Sequence, residues 1–264
     1  MAADAARYVS LVPSLTETLF ELGVGEAVVG ATKFCVHPRP AVDQVPRVGG
    51  TKDPRIDRIL ALSPTLVLVN QEENRLEDVE RLRAAGVAVH VTFPRRVADV
   101  PPMLRELGEI VGRPGRGEEL ARDVEAAIEG VRIAALGRPP VPFAVLIWRE
   151  PWLAAGPSTF LSDLVTAAGG VNVIPESPEA SHYPEVELES LEELGPRRIL
   201  LPSEPFPFRD LHLDELSRRT RIDQAAFLRC PGELLTWHGS RTAAGLRAAA
   251  RWLHRPETAA RPRR

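Results

Sequence analysis

The stretch Thr32-Lys33-Phe34-Cys35-Val36-His37-Pro38 sets a lysine, a cysteine and a histidine within five positions. Of the 33 basic residues only Lys33 and Lys52 are lysine, so 33 less two leaves 31 arginines. Both lysines fall in short loops of the first fifth of the chain, the second in Gly49-Gly50-Thr51-Lys52-Asp53-Pro54. Cys35 and His37, with His238 as a third donor, could ligate a metal ion through thiolate and imidazole. Cys35 could also act as a nucleophile with His37 as its base, but no group that would orient the base is identifiable. A small buried cysteine beside a loop histidine is the plain alternative. Lys33 and Lys52 could supply positive charge to a bound anion, or could simply be solvated.

The elements that must position these residues alternate regularly. Tyr8 to Val12 reads as a buried strand, followed by a turn at Pro13 and a helix with Ser14 as N-cap and Glu17 completing a capping box. Gly23 closes that helix, and the strand AVVGAT leads into the Lys33 loop. Asp53 as N-cap with Pro54 behind it predicts a short helix before the strand TLVLVN; LEDVERLRAAG is an amphipathic helix and VAVHVTF a strand. Such alternation predicts an α/β fold with parallel sheets. From Val100 to Leu136 the pattern is wholly helical, and the break GRPPVP precedes a new strand, FAVLIW.

The second half resembles the first. Pro157-Ser158 opens a helix ending at Gly169-Gly170, as Pro13-Ser14 opens one ending at Gly23, and LESLEELGPRRILLPSE mirrors IDRILALSPTLVLVNQE. Two related Rossmann-like lobes joined by a long helix are therefore expected, with boundaries at 1–116, 117–137 for the bridge, and 138–254. Residues 255–264 have no apolar periodicity and are expected to be disordered.

Ligands of open parallel sheets sit beyond the carboxyl ends of the strands. That rule selects Pro13, Ser14, Lys33, Phe34, Cys35, His37, Lys52, Asn70 and Arg75 in the first half, and Trp148, Trp152, Trp237, His238 and Arg241 in the second. These residues would face a cleft between the lobes. Their types favour binding over bond breaking: aromatic faces beside Lys33, Lys52, Arg75, Arg149 and Arg241 suit a bulky ligand carrying carboxylates, phosphates or a metal chelate. Trp148 and Trp152 fit a ligand platform and a core equally well. Glu72, Glu73 and Glu204 are solvated loop carboxylates or a matched pair of acidic sites for docking on a basic partner. His90, inside its strand, and Trp252, on the last helix, read as structural.

Several classes are excluded or disfavoured. No dinucleotide fingerprint, P-loop or G-x-S-x-G elbow occurs. A formal net charge of −3 and a pI near 6.1 give no electrostatic case for nucleic acid. Two distant cysteines, Cys35 and Cys230, do not make a disulfide framework, so a reducing compartment is expected. The opening residues carry neither a secretory signal nor a lipobox, so the sequence as written predicts a cytoplasmic protein, and a periplasmic or cell-surface one if its start is incomplete.

The segments YVSLVPSLTETLFELGVGEAVVGATKFCVHP, VPRVGGTKDPRIDRILALSPTLVLV, AAGGVNVI and YPEVELESLEELGPRRILL resemble the class III periplasmic binding proteins, the helical-backbone receptors for vitamin B12 and ferric siderophores in ABC importers. The resemblance runs from about Arg7 to Leu253. It implies two lobes bridged by one long helix, most naturally Gly117 to Leu136, with a shallow cleft and little hinge motion. It also implies a monomer that binds a metal chelate without catalysis or cofactor and delivers it to an importer permease. Pro13, Ser14, Phe34 and Trp237 match cleft-lining positions of the vitamin B12-binding members. Thr51 and Asn70 stand where those members are expected to have tryptophans that embrace the corrin, which turns the expectation toward a smaller or more polar chelate. The family's docking glutamates correspond to Glu72 or Glu73 and to Glu204. Two other functions compete: a chelatase-like enzyme using Cys35, His37 or His238 with one of those glutamates, and a free-metal chaperone using Cys35 and His37.

Overall fold

Short apolar runs between amphipathic segments produce nine strands and ten α-helices among the residues described by the computed structural model, 6–176 and 182–255. The chain forms two compact units. The first holds the described residues up to Pro94, then Asp99–Arg122 and His238–Ser240; the second holds Arg95–Ala98, the described part of Asp123–Trp237, and the described residues from Arg241 to Arg255.

In the first unit, strands β1 (Tyr8–Ser10), β2 (Val28–Ala31), β3 (Leu66–Asn70) and β4 (Val89–Thr92) form one parallel sheet in the order β2-β1-β3-β4. Tyr8 lies opposite both Val28 and Leu66, and Val67 opposite Val89. Val67, Leu68 and Val69 are all buried, as in strands covered on both faces. Val9, Leu11, Val67 and Val69 pack with Ile59 of α2 (Ile56–Ala61) and Leu82 of α3 (Leu76–Ala84). The unit also contains α1 (Pro13–Glu21), α4 (Val100–Ile110) and the first part of α5 (Pro114–Ala135), a helix whose residues from Asp123 belong to the second unit.

Helices α4 and α5 approach through two glycines. A Cβ on Gly117 would lie 2.8 Å from the Leu104 carbonyl oxygen, and one on Gly108 would lie 2.8 Å from Gly117 Cα. Backbone cannot move aside as a flexible side chain can. Gly117→Val is therefore expected to cost about 1–3 kcal/mol by overpacking, read as a lowered urea midpoint, whereas Gly130→Val on the open part of α5 should cost less.

In the second unit, β5 (Val141–Trp148) pairs in parallel with β7 (Gly170–Asn172) and β8 (Arg198–Pro202), and β9 (Phe227–Cys230) extends the sheet beyond β8. The short β6 (Leu153–Ala154) turns back antiparallel to the end of β5. Helices α6 (Phe160–Ala167), α7 (Leu188–Glu193), α8 (Asp210–Arg219), α9 (Glu233–Thr236) and α10 (Thr242–Leu253) complete the unit. Ala144, Leu146, Ile199 and Leu201 of the sheet pack with Trp152, Leu191, Phe208 and Leu216.

Two capping expectations are corrected. Val12, not Ser14, is the N-cap of α1, and no side chain caps it; Ser14 sits inside the helix and turns to His238. Arg55 is the N-cap of α2, while Asp53 closes the preceding turn by accepting from the Gly50 amide. There Gly49, at φ +111, is bridged to Pro54, a conformation that glycine adopts without the steric cost of a side chain. Of the predicted disordered tail, Arg255 is described and its carbonyl accepts from the buried Arg198; the remaining positions, 256–264, lie outside the described residues.

Candidate functional site

The first unit's strand ends are organised around a buried imidazole. α1 follows β1 with Pro13 in its first turn, which buries Ser14 to 2% exposure. Ser14 Oγ lies 3.4 Å from His238 Nδ1, and Asn70 Nδ2, at the end of β3, lies 3.2 Å from His238 Nε2. Asn70 and His238 are 3% and 6% exposed. The Asn70 amide is oriented by its other bonds: Oδ1 accepts from the Glu72 and Glu73 amides, and Nδ2 donates to the Thr92 carbonyl. Nδ2 can only donate, so His238 Nε2 accepts and Nδ1–H donates to Ser14. Burial pushes the His238 pKa down to about 4, which keeps the ring neutral. The segment is tied again at Ser240, whose amide donates to Thr18 Oγ1 at 3.2 Å. A Cβ on Gly239, at φ +98, would meet that same oxygen at 2.4 Å.

The Lys33–His37 loop divides into an inner and an outer part. The Cys35 thiol is fully buried, with Thr16 and Thr32 hydroxyls each 3.1 Å from sulfur. Arg47 donates to the Cys35 and Thr32 carbonyls. Burial raises the thiol pKa, against the opposing effect of those hydroxyls and of Arg47. A buried thiol held by two hydroxyls and with its pKa raised is disfavoured as a thiolate at neutral pH. Lys33 and Phe34 point outward: Phe34 is 50% exposed, with Lys33 Nζ 5.0 Å from its ring centre. His37 is half-buried. Lys52 is exposed and donates to the Glu72 carbonyl at 2.5 Å, and Asn74 ties the same two loops by donating to Thr51 and Leu11 carbonyls. Arg75 is paired along its own helix with Asp78 at 3.0 Å. Glu72 is exposed and Glu73 half-buried.

The second unit's strand ends carry an aromatic chain. Trp148, 40% exposed at the end of β5, packs edge-on against Phe206 at 5.6 Å, and Phe206 against Phe208 at 4.8 Å. Trp152 is buried and stacks on Phe208, so of the two tryptophans it is the core member. Arg149 lies 6.0 Å from the Trp152 ring and pairs with Glu215 at 2.7 Å, which holds the Glu215 carboxyl below its usual range. Trp237 is buried, Arg241 lies over its ring at 5.1 Å, and Glu204 accepts from the indole N–H.

Sequence reasoning passes over three features. Phe206 links Trp148 to the core; the repeated Pro-Phe of Pro205–Phe208 was its signal. Thr18 receives the Ser240 amide, and Ser158 Oγ lies 2.9 Å from His182 Nδ1. Neither contact has a local sequence signature, because each joins residues far apart in the chain. Cys35, His37 and His238 do not converge: among the described residues no group of three or more His, Cys, Asp or Glu side chains is placed to hold a metal ion. Nor is any described helix long and apolar enough to cross a membrane.

The same architecture occurs in known proteins. A model of the periplasmic binding protein family matches residues 9–224, and this chain belongs to that family. The vitamin B12-binding protein of Pectobacterium carotovorum subsp. carotovorum (strain PC1) is 26% identical over 201 residues, 75% of this chain and 72% of the relative. Among solved structures, the periplasmic heme-binding protein RhuT from Roseiflexus sp. RS-1 in apo form superposes with a TM-score of 0.83 at 27% identity, covering 95% of this chain and 98% of that one. The periplasmic vitamin B12 binding protein BtuF of Vibrio cholerae shares the fold, with a TM-score of 0.82 at 20% identity and 94% and 96% coverage. The cytoplasmic expectation draws no support from these solved relatives, both of which are described as periplasmic.

Proposed function

We propose that this chain is a substrate-binding protein that captures a metal chelate of the haem or corrinoid kind, without altering it, and passes it to an ABC importer outside the inner membrane. The observation that carries the reading is the pairing of aromatic rings with cations at the carboxyl ends of both parallel sheets: Phe34 with Lys33 in one unit, Trp237 with Arg241 in the other. The exposed Phe34 ring supplies apolar contact to a macrocycle, the buried Trp237 ring backs Arg241, and the cations complement the ligand's acidic side groups. Lys52 adds a second ammonium in the loop beside Phe34. Cobalamin and haem are the chelates in the relatives' names, and membership of a family of binding proteins favours capture over conversion. Glu72, exposed at the end of β3, is the carboxylate best placed to meet a basic permease surface.

The test is a titration with hemin, cyanocobalamin and ferrichrome, following tryptophan fluorescence. Saturable quenching by one of them is expected, weakened about tenfold or more in Trp237→Ala. If none binds, while zinc binds and Cys35→Ser abolishes zinc binding, the receptor reading falls and a free-metal chaperone takes its place.

A further inference from the structure

Beyond the ends of β8 and β9, two loops of the second unit are closed onto each other. The Ser203 amide donates to the Cys230 carbonyl at 2.9 Å, and the Gly232 amide to Ser203 Oγ at 3.0 Å. A Cβ at Gly232 would lie 2.4 Å from Glu204 Cγ, so the chain at 232 rests directly on the glutamate stem. The carboxylate then makes two specific contacts with one oxygen. Glu204 Oε1 accepts from Trp237 Nε1 at 2.9 Å and from Thr236 Oγ1 at 3.2 Å. Arg241 lies over the same indole, 5.1 Å from its centre.

We infer that Glu204 is a positioning residue for ligand capture: it fixes the Trp237 indole, the indole carries the Arg241 guanidinium, and Arg241 meets an anionic group of the chelate. This rests on the ligand-capture reading above. An indole has one N–H donor and no acceptor, so a single well-placed carboxylate oxygen determines its rotation in the plane of the ring. A guanidinium stacked on an aromatic face directs its N–H edges sideways, the geometry that suits a carboxylate or phosphate. Burial of Glu204 raises its pKa, against the opposing effect of its two donors. Such a desolvated, doubly bonded carboxylate is poorly suited to docking on an external basic surface, where solvated glutamates serve by long-range attraction. On this inference Glu204 acts inside the unit, in place of the docking role that the family resemblance implies.

Four variants test the assignment: Glu204→Gln, which keeps an acceptor; Glu204→Ala, which removes it; Trp237→Phe, which removes the donor and keeps a ring; and Arg241→Ala. Hemin affinity is followed by absorption, and the indole N–H resonances by ¹⁵N NMR, with Trp237 assigned from Trp237→Phe. Glu204→Ala and Trp237→Phe are expected to weaken hemin about tenfold, and Glu204→Gln by less than about threefold. Arg241→Ala should also weaken it about tenfold, with little further loss when combined with Glu204→Ala, because both act through one contact. The Trp237 N–H resonance should move in Glu204→Ala without ligand. Multiplying losses, an unmoved resonance, or wild-type affinity in Glu204→Ala would each overturn the assignment. A wild-type protein that binds no chelate would instead overturn the functional reading, and this inference with it.

Discussion

Acidification from about pH 7 to about pH 4 is expected to cost the folded chain about 3 kcal/mol through His238 alone. In the unfolded chain this imidazole titrates near its ordinary value, about 6.5, whereas in the folded chain burial holds it down to about 4. The unfolded state therefore takes up the proton first. The contribution is present in full above the unfolded value and is lost as pH falls through the folded one. The geometry gives the reason: Nε2 is the acceptor for Asn70, and a protonated ring would turn a second N–H toward an amide that has only hydrogens to offer. His90, His212 and His254, whose pKa values are also lowered by burial, act in the same direction. A His238→Gln variant isolates the one site. Its urea-derived stability should fall less between the two pH values, by about 3 kcal/mol, than that of the parent chain. Equal falls would mean that His238 titrates as an exposed histidine does.

Phe143→Ala is expected to destabilise the second unit by about 3–5 kcal/mol, enough to threaten folding at ordinary temperature. The ring is fully buried in β5, between the registers of β7 and β8. Its neighbour is backbone: a Cβ on Gly170 would lie 2.5 Å from Phe143 Cδ1 and 3.0 Å from the Val165 carbonyl oxygen. A cavity bordered by strand and helix backbone cannot collapse as one lined by long side chains can, which places the cost toward the upper end. Gly170→Ala in the parent chain should cost about 1–3 kcal/mol by overpacking. Combined, the two should cost less than their sum by about 1 kcal/mol, since the added methyl enters the space the ring vacates. Strict additivity in thermal or urea unfolding would show that the ring and the glycine do not touch.

Elements with a local cause were legible. Apolar runs bounded by turn residues located β1 to β5 and β8, and helical periodicity located α3, α4, α5 and α10, because strand burial and helix amphipathicity are written into neighbouring residues. The short β7 and β9 were missed: Gly170–Asn172 and Phe227–Cys230 are strands by virtue of their partners, β5 and β8, more than by their own composition. Capping failed where a long-range contact outcompeted a local one. Ser14 has every local qualification of an N-cap, yet its hydroxyl serves His238, 224 residues away. For the candidate site, residue types were readable and their orientation was not. Lys33, Phe34 and Cys35 are adjacent in the chain, but only packing against Thr16 and Arg47 decides that the cysteine turns in and the other two turn out. Glu72 and Glu204 look alike in sequence; one is exposed, and the other is held by Trp237 and Thr236.

A ribosome delivers Ser14, Thr18 and Asn70 long before it delivers the residues that complete their surroundings. His238 follows Arg122, the last of the first unit's early residues, by 238 less 122, or 116, positions. At synthesis rates of about 5–20 residues per second that is a wait on the order of ten seconds. Throughout it, the first sheet can form, but Asn70 lacks its imidazole acceptor and Thr18 its amide donor. The N-terminal unit is begun first and finished almost last, so a nascent or truncated chain ending before His238 presents an incomplete polar interior where the finished protein has a closed one.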